Sequence, residues 1–166
     1  CSHSSIYVRS DQTQDQVIDV PLSDIADRLM FIGDAGAPAN PEPVLVEMEA
    51  WAKQAPEKTT SLFLGDNIYP HGLPNEDTPQ YADRRRRIAA QVDVVKNSDS
   101  RGIFVPGNHD WATGKENGLE NVLNQERFVE QELGDPRAHL PDNGCPGPVA
   151  VDLKKVRIIV LDTHWW

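Results

Sequence analysis

Three short stretches of this chain end in side chains that bind cations or move protons: Gly33-Asp34-Ala35-Gly36, Gly65-Asp66-Asn67-Ile68-Tyr69 and Gly107-Asn108-His109-Asp110. Each follows an apolar run (29–32, 61–64 and 101–106), so carboxylate, amide and imidazole groups are delivered to loops at strand ends, where α/β sheets hold their ligands. Oxygen and nitrogen donors converging from three strand ends suit a pair of hard or borderline cations. In such a site two ions about 3.5–4 Å apart clamp a phosphoryl oxygen and bring the pKa of a bound water towards neutrality. One carboxylate must bridge the ions. Asp66 is the candidate for the bridge, with Asp34 and Asn108 as ligands to one ion each. Gly33, Gly65 and Gly107 fit a backbone that turns sharply beside an ion and leaves no room for a side chain.

The elements that must position these groups are legible in the pattern of apolar residues. A strand over 28–32 leads to Gly-Asp-Ala-Gly, and a helix over 42–53 follows, with Val44, Met48 and Trp51 as its apolar stripe and Trp51 in the core. A second strand over 60–64 runs into residues 65–74, where Pro and Gly forbid a regular element. A helix over 80–96, with Ile88, Val92 and Val95 on one face, precedes a third strand over 102–105. Strand and helix in alternation predict parallel strands with helices packed on them, and right-handed crossovers bring the three loops to one edge. Beyond Asp110 the spacing predicts a helix over 119–133, on Leu119, Val122, Leu123, Phe128 and Val129, and a hairpin over 149–162. Its second strand is almost wholly apolar, which predicts cover on both faces.

Length and composition set outer bounds. The 166 residues fit one domain of ordinary size, and no apolar run approaches the roughly 18–20 residues that span a bilayer. Sixteen basic residues against 26 acidic ones give a formal charge of −10, which repels a nucleic-acid backbone, so no nucleic-acid polymer is expected as partner. Bound cations would relieve some of that charge. Cys1, followed by a polar stretch to about residue 19, is similar to the mature start of a bacterial lipoprotein. On that reading residues 1–27 are a polar arm, and a lipid on Cys1 tethers an exported protein in the periplasm or at the outer membrane. An arbitrary boundary, or a disulfide between Cys1 and Cys145, are the other readings.

Taken in order, the three motifs resemble those that open the calcineurin-like metallophosphoesterases. Gly36, where many members place a histidine, and Tyr69 in Gly-Asp-x-x-Tyr are most similar to the purple acid phosphatase branch. The resemblance implies an αββα sandwich, of which residues 28–166 are the N-terminal part, with Leu161-Asp162-Thr163 similar to a later strand end. It implies that Asp34, Asp66 and Tyr69 hold iron(III), and that Asp66 bridges to a second, divalent ion (Fe, Zn or Mn) shared with Asn108. A phenol of ordinary pKa about 10 needs a strongly Lewis-acidic neighbour to ionise at neutral pH, which suits a trivalent ion at Tyr69. His109 would contact the phosphate or protonate the leaving oxygen, with Asp110 orienting its imidazole. The histidine motifs that complete such sites are not in this sequence; the C-terminal part of the sandwich is expected to supply them.

The remaining candidates divide between chemistry and scaffolding. His71, in the loop after Tyr69, is a candidate substrate contact and otherwise a loop residue. His3, His139 and His164 read as surface residues, and Trp165 and Trp166 as core pieces. Arg84 to Arg87 fan around a helix and read as a solvated face, because four consecutive residues cannot address one anion. The expected function is metal-dependent hydrolysis of phosphoesters, phosphomonoesters first, with a phosphorylated small molecule or nucleotide as substrate. The alternative is a non-catalytic fragment or tethered binding module that keeps the loops without turnover.

Overall fold

The computed structural model describes residues 20–165, apart from the side chain of Trp165. Readings that fall on Cys1, His3 and Trp166 therefore lie outside the described residues. The chain is mixed α/β. Strands β1 (Arg28–Ile32), β2 (Thr59–Leu64) and β3 (Arg101–Val105) form a parallel sheet in the order β1-β2-β3. Helices α1 (Pro43–Ala52) and α2 (Tyr81–Ser98) make the crossovers, and α3 (Gly118–Leu133) follows β3. Strands β4 (Val149–Asp152) and β5 (Arg157–Val160) pair antiparallel as a separate hairpin.

Alternation along each strand decides what each face of the sheet meets. Ile32, Phe63 and Phe104 lie side by side in register and face the helices, where they pack with Leu45 of α1, Ile88, Val92 and Val95 of α2, and Phe128 and Val129 of α3. The rings of Phe63 and Phe104 stack at 4.2 Å, a pairing worth about 0.5–1.5 kcal/mol beyond the area it buries. The opposite face presents Ile103 and Val105 to Val151, Val160 and Ile158 of the hairpin. That second layer covers the β3 side of the sheet only: Phe31 and Leu64 stay 61% and 50% exposed.

Several sequence expectations need correction here. In α1 Met48 packs against the core as predicted, but the buried residues beside it are Leu45 and Ala52, each one position beyond the predicted Val44 and Trp51. Trp51 is 55% exposed instead of being in the core. The small side chain of Ala52 lets the helix end approach β2, and the Arg28 guanidinium, bonded to Thr59, accepts this geometry by donating to the Trp51 and Ala52 carbonyls. In α3, Leu119 is exposed while Asn121, Gln125 and Glu126 are buried. Strand β5 is covered on one face only, with Val160 buried and Ile159 exposed.

His139 is fully buried, not a surface residue. Residues 138–140 lie along the outer edge of β3: the Phe104 N–H donates to Ala138 O at 2.7 Å and the Leu140 N–H to Phe104 O at 2.8 Å. Edge pairing of this kind satisfies a row of otherwise open backbone groups, and it carries the imidazole inside. Residues before β1 are also tied to the body. Asp27 accepts from the Lys154 and Lys155 N–H groups, and Lys58 donates to Leu22 O. No described helix is long and apolar enough to cross a membrane.

Candidate functional site

All three strands of the parallel sheet end at the same edge, because β1, β2 and β3 are parallel and in register. Their C-terminal loops carry the three motifs. Asp34 and Asp66 sit at φ 58° and 52°, in the left-handed region that costs a non-glycine residue energy unless its surroundings over-determine it. Aspartate tolerates that conformation better than most residues. In both cases the turn aims the carboxylate away from the strand direction and into the loops. A Cβ on Gly107 would lie 2.3 Å from Asp66 N and 2.4 Å from Asp66 Oδ1, so glycine is required for the third loop to meet the second. Gly33 has no such need, since the nearest atom to a Cβ there is 3.8 Å away.

Asp34, Asp66 and Tyr69 come together. The Tyr69 hydroxyl donates to Asp34 Oδ1 at 2.6 Å and reaches Asp66 Oδ2 at 3.0 Å, so three oxygens from two loops surround one proton. The hydrogen bond to Asp34, followed by burial and the bond to Asp66, pushes the phenol pKa above its ordinary value. The other Asp66 oxygen accepts from the His109 N–H at 3.0 Å. Asn108 is exposed and lines, with Asp34, Asp66, Gly107, Thr163 and His164, a groove of about 740 Å³ between the strand ends and β5.

The histidine of the third motif is oriented differently from the sequence expectation. His109 Nδ1 lies 2.7 Å from Pro70 O, and its ring meets the Tyr69 ring edge-on at 4.6 Å. Asp110 does not touch the imidazole. It is fully buried and accepts from the N–H groups of Gly107 (2.8 Å), Asn67 (3.1 Å) and Ile68 (3.0 Å), with the Asn67 side-chain amide at 3.4 Å. Asp110 is thus the tie between the second and third loops. Burial pushes its pKa up, to about 7, against the opposing pull of those donors. His71 points elsewhere: its Nε2 is 2.9 Å from Lys115 Nζ, and burial, then the charge of Lys115, lowers its pKa.

Helix α2 ties the first and second loops together. Gln91, fully buried, donates to Asn67 O at 2.7 Å and Ala35 O at 3.3 Å, and Arg87 reaches Gly36 O and Tyr69 O, both at 3.4 Å. The Tyr69 N–H donates to Gly36 O at 3.0 Å. Arg84 holds His71 O and Gly72 O, and Arg86 reaches Pro38 O. The arginine run is therefore not a merely solvated face: three of its members grip carbonyls of the site loops, each from its own angle. Sequence reasoning missed Gln91, although a glutamine between Ile88 and Val92 on an apolar stripe was a legible signal.

Two further features were not foreseen. Asp162, buried after β5, accepts the Trp111 indole N–H at 2.6 Å and the His164 N–H at 2.9 Å, and the His164 ring stacks on Trp111 at 5.8 Å. His164 is exposed, as read, yet it borders the groove beside Asn108. Away from the groove, Glu126, Glu130 and Asp142 bring carboxylate oxygens within 4.8 Å of one another, close enough to share a cation. Burial and the charges of Glu126 and Asp142 push Glu130 up to about 7.

Comparisons with protein-family models, with curated proteins and with solved structures found no match to this chain.

Proposed function

We propose that the chain contributes ligands to a dinuclear phosphoesterase centre. The observation that supports this reading is the convergence of Asp34, Asp66 and Tyr69 on a single proton, at 2.6 and 3.0 Å. Two carboxylates and a phenol gathered around a proton form a hard oxygen donor set, and a cation of higher charge would take the proton's place and relieve the repulsion between the carboxylates. Asp34, Asp66 and Tyr69 would hold one ion, iron(III) on the chemistry of the phenol, and Asp66 with Asn108 would contribute to a second, divalent one. Bound cations would supply Lewis acidity for a phosphoryl oxygen and for the attacking water.

The chain's own residues do the rest. Asn108 presents an amide to the groove where a phosphoryl group would sit. His109 is fixed through its Nδ1–H by the Pro70 carbonyl, so its Nε2 donates to a phosphate oxygen or to the leaving oxygen as the imidazolium. Asp110, Gln91 and Arg87 hold the three loops in register and take no part in the chemistry. The resulting activity is hydrolysis of phosphoesters, phosphomonoesters first. A metal-loaded chain should hydrolyse nitrophenyl phosphate, and Asp66→Asn should abolish that activity while leaving the fold intact; full activity in the variant would refute the assignment.

A further inference from the structure

His109 and His164 both lie near the ends of the strands, in different surroundings. His109 bonds Pro70 O through Nδ1 and meets Tyr69 edge-on, and it is not among the residues that line the groove holding Asp34, Asp66 and Asn108. His164, which follows β5, does line that groove. Its place is fixed from two directions. The His164 N–H donates to Asp162 Oδ1 at 2.9 Å, and Asp162, fully buried, takes the Trp111 indole N–H on Oδ2 at 2.6 Å. The imidazole lies nearly parallel to the Trp111 ring, at 16° and 5.8 Å. Trp111 belongs to the loop of the third motif, where its N–H donates to Gly107 O at 3.2 Å. One carboxylate thus joins the end of β5 to the loop that carries Asn108. A stacked imidazole is held by its face, so its two nitrogens, which lie in the ring plane, stay available at the edge. Neither nitrogen hydrogen-bonds a described residue, and the side chain is exposed.

We propose that His164 is a substrate-binding residue of this groove, donating a ring N–H to an oxygen of the phosphoryl group that Asp66 and Asn108 face. This rests on the phosphoesterase reading above. The ligand it suits is an oxyanion with oxygens on more than one side, a phosphomonoester or orthophosphate. Asn108 offers its amide from the loop after β3, and His164 offers an N–H from the end of β5. Charge makes the extra donor matter. The groove also holds the carboxylates of Asp34 and Asp66, in a chain of net charge −10, so each donor to an incoming dianion offsets repulsion. A neutral imidazole already donates one N–H, so the contact does not require His164 to ionise.

Titration calorimetry of orthophosphate into the metal-loaded chain tests this, with variants that separate the ring nitrogens from the stacking. His164→Phe keeps a ring against Trp111 and removes both nitrogens. His164→Gln gives up the stack and keeps an N–H donor, and His164→Ala removes both. Orthophosphate should bind about tenfold more weakly to His164→Phe and His164→Ala, with His164→Gln within about threefold of the wild type. Wild-type affinity in His164→Phe, or an equal loss in all three variants, would overturn the binding role, and so would a wild-type chain that binds no orthophosphate. Nitrophenyl phosphate turnover by the wild type separates the two readings. Turnover with phosphate affinity indifferent to His164 sinks the binding role alone, and His164-dependent binding without any turnover sinks the phosphoesterase reading alone.

Discussion

Replacing Asp110 by Asn separates two roles that the motif alone does not distinguish. If Asp110 oriented the imidazole of His109, Asp110→Asn would lower turnover and leave stability nearly untouched. The geometry assigns it a different task. Its Oδ2 accepts from Gly107 N, Asn67 N and Asn67 Nδ2, and its Oδ1 accepts from Ile68 N. An asparagine can keep an oxygen at the first position but must then aim its NH2 at the Ile68 N–H. That leaves buried donors facing each other, and one unsatisfied buried donor costs about 1–3 kcal/mol. Taking about 2 kcal/mol and a urea slope of about 2 kcal/mol per molar, the unfolding midpoint should fall by about 1 M. His109→Ala, whose ring contributes one hydrogen bond to Pro70 O, should move the midpoint by less than about 0.5 M. Equilibrium urea unfolding followed by tryptophan fluorescence reads both. A midpoint in Asp110→Asn equal to wild type, or one no lower than that of His109→Ala, would refute the assignment of Asp110 as the tie between loops.

Other outcomes follow from particular contacts. Gly107→Ala would place a methyl 2.3 Å from Asp66 N, so it should displace the second loop, destabilise by about 1–3 kcal/mol and weaken cation binding; unchanged binding and midpoint would contradict the close approach. Burial lowers the His139 pKa to about 3, while an unfolded histidine titrates near 6.5. The unfolded state therefore binds the extra proton first, and the stability from neutral His139 is complete above about pH 6.5 and lost as pH falls towards 3, by up to about 1.4 kcal/mol per pH unit. The difference in stability between His139→Met and wild type, measured from pH 7 to 4, should show that slope. Trp51→Ala should cost less than about 1 kcal/mol because the ring is 55% exposed, whereas Phe63→Ala, fully buried, should cost about 3–5 kcal/mol; thermal denaturation ranks the two.

Much of the scaffold was legible because the apolar periods were long and bounded by turn residues. The ranges 28–32, 60–64 and 102–105 lie within one residue of β1, β2 and β3, and parallel pairing followed from their alternation with α1 and α2. The convergence of Asp34, Asp66 and Tyr69 followed from their places after those strands. What stayed hidden depends on partners distant in sequence. Trp51 and Leu45 are equally good stripe candidates until Ala52 and Arg28 decide how α1 sits. His139 looks like a loop histidine until residues 138–140 pair with β3. Asp110 beside His109 reads as a dyad in one dimension, yet adjacent residues on a tight turn point apart, and three of the four donors to its carboxylate belong to a loop more than 40 residues earlier. The loop grip of Gln91 and Arg87 likewise needs the packing of α2 against the strand ends.

The central claim is that Asp34, Asp66 and Tyr69 make a cation site, and elemental analysis of the purified chain beside Asp66→Asn tests it most directly. The account predicts metal bound stoichiometrically in the wild type, with a phenolate-to-iron(III) absorption band when iron is loaded, and both lost in Asp66→Asn. A wild-type chain without metal after incubation with iron and zinc, or metal retained equally in the variant, would contradict it.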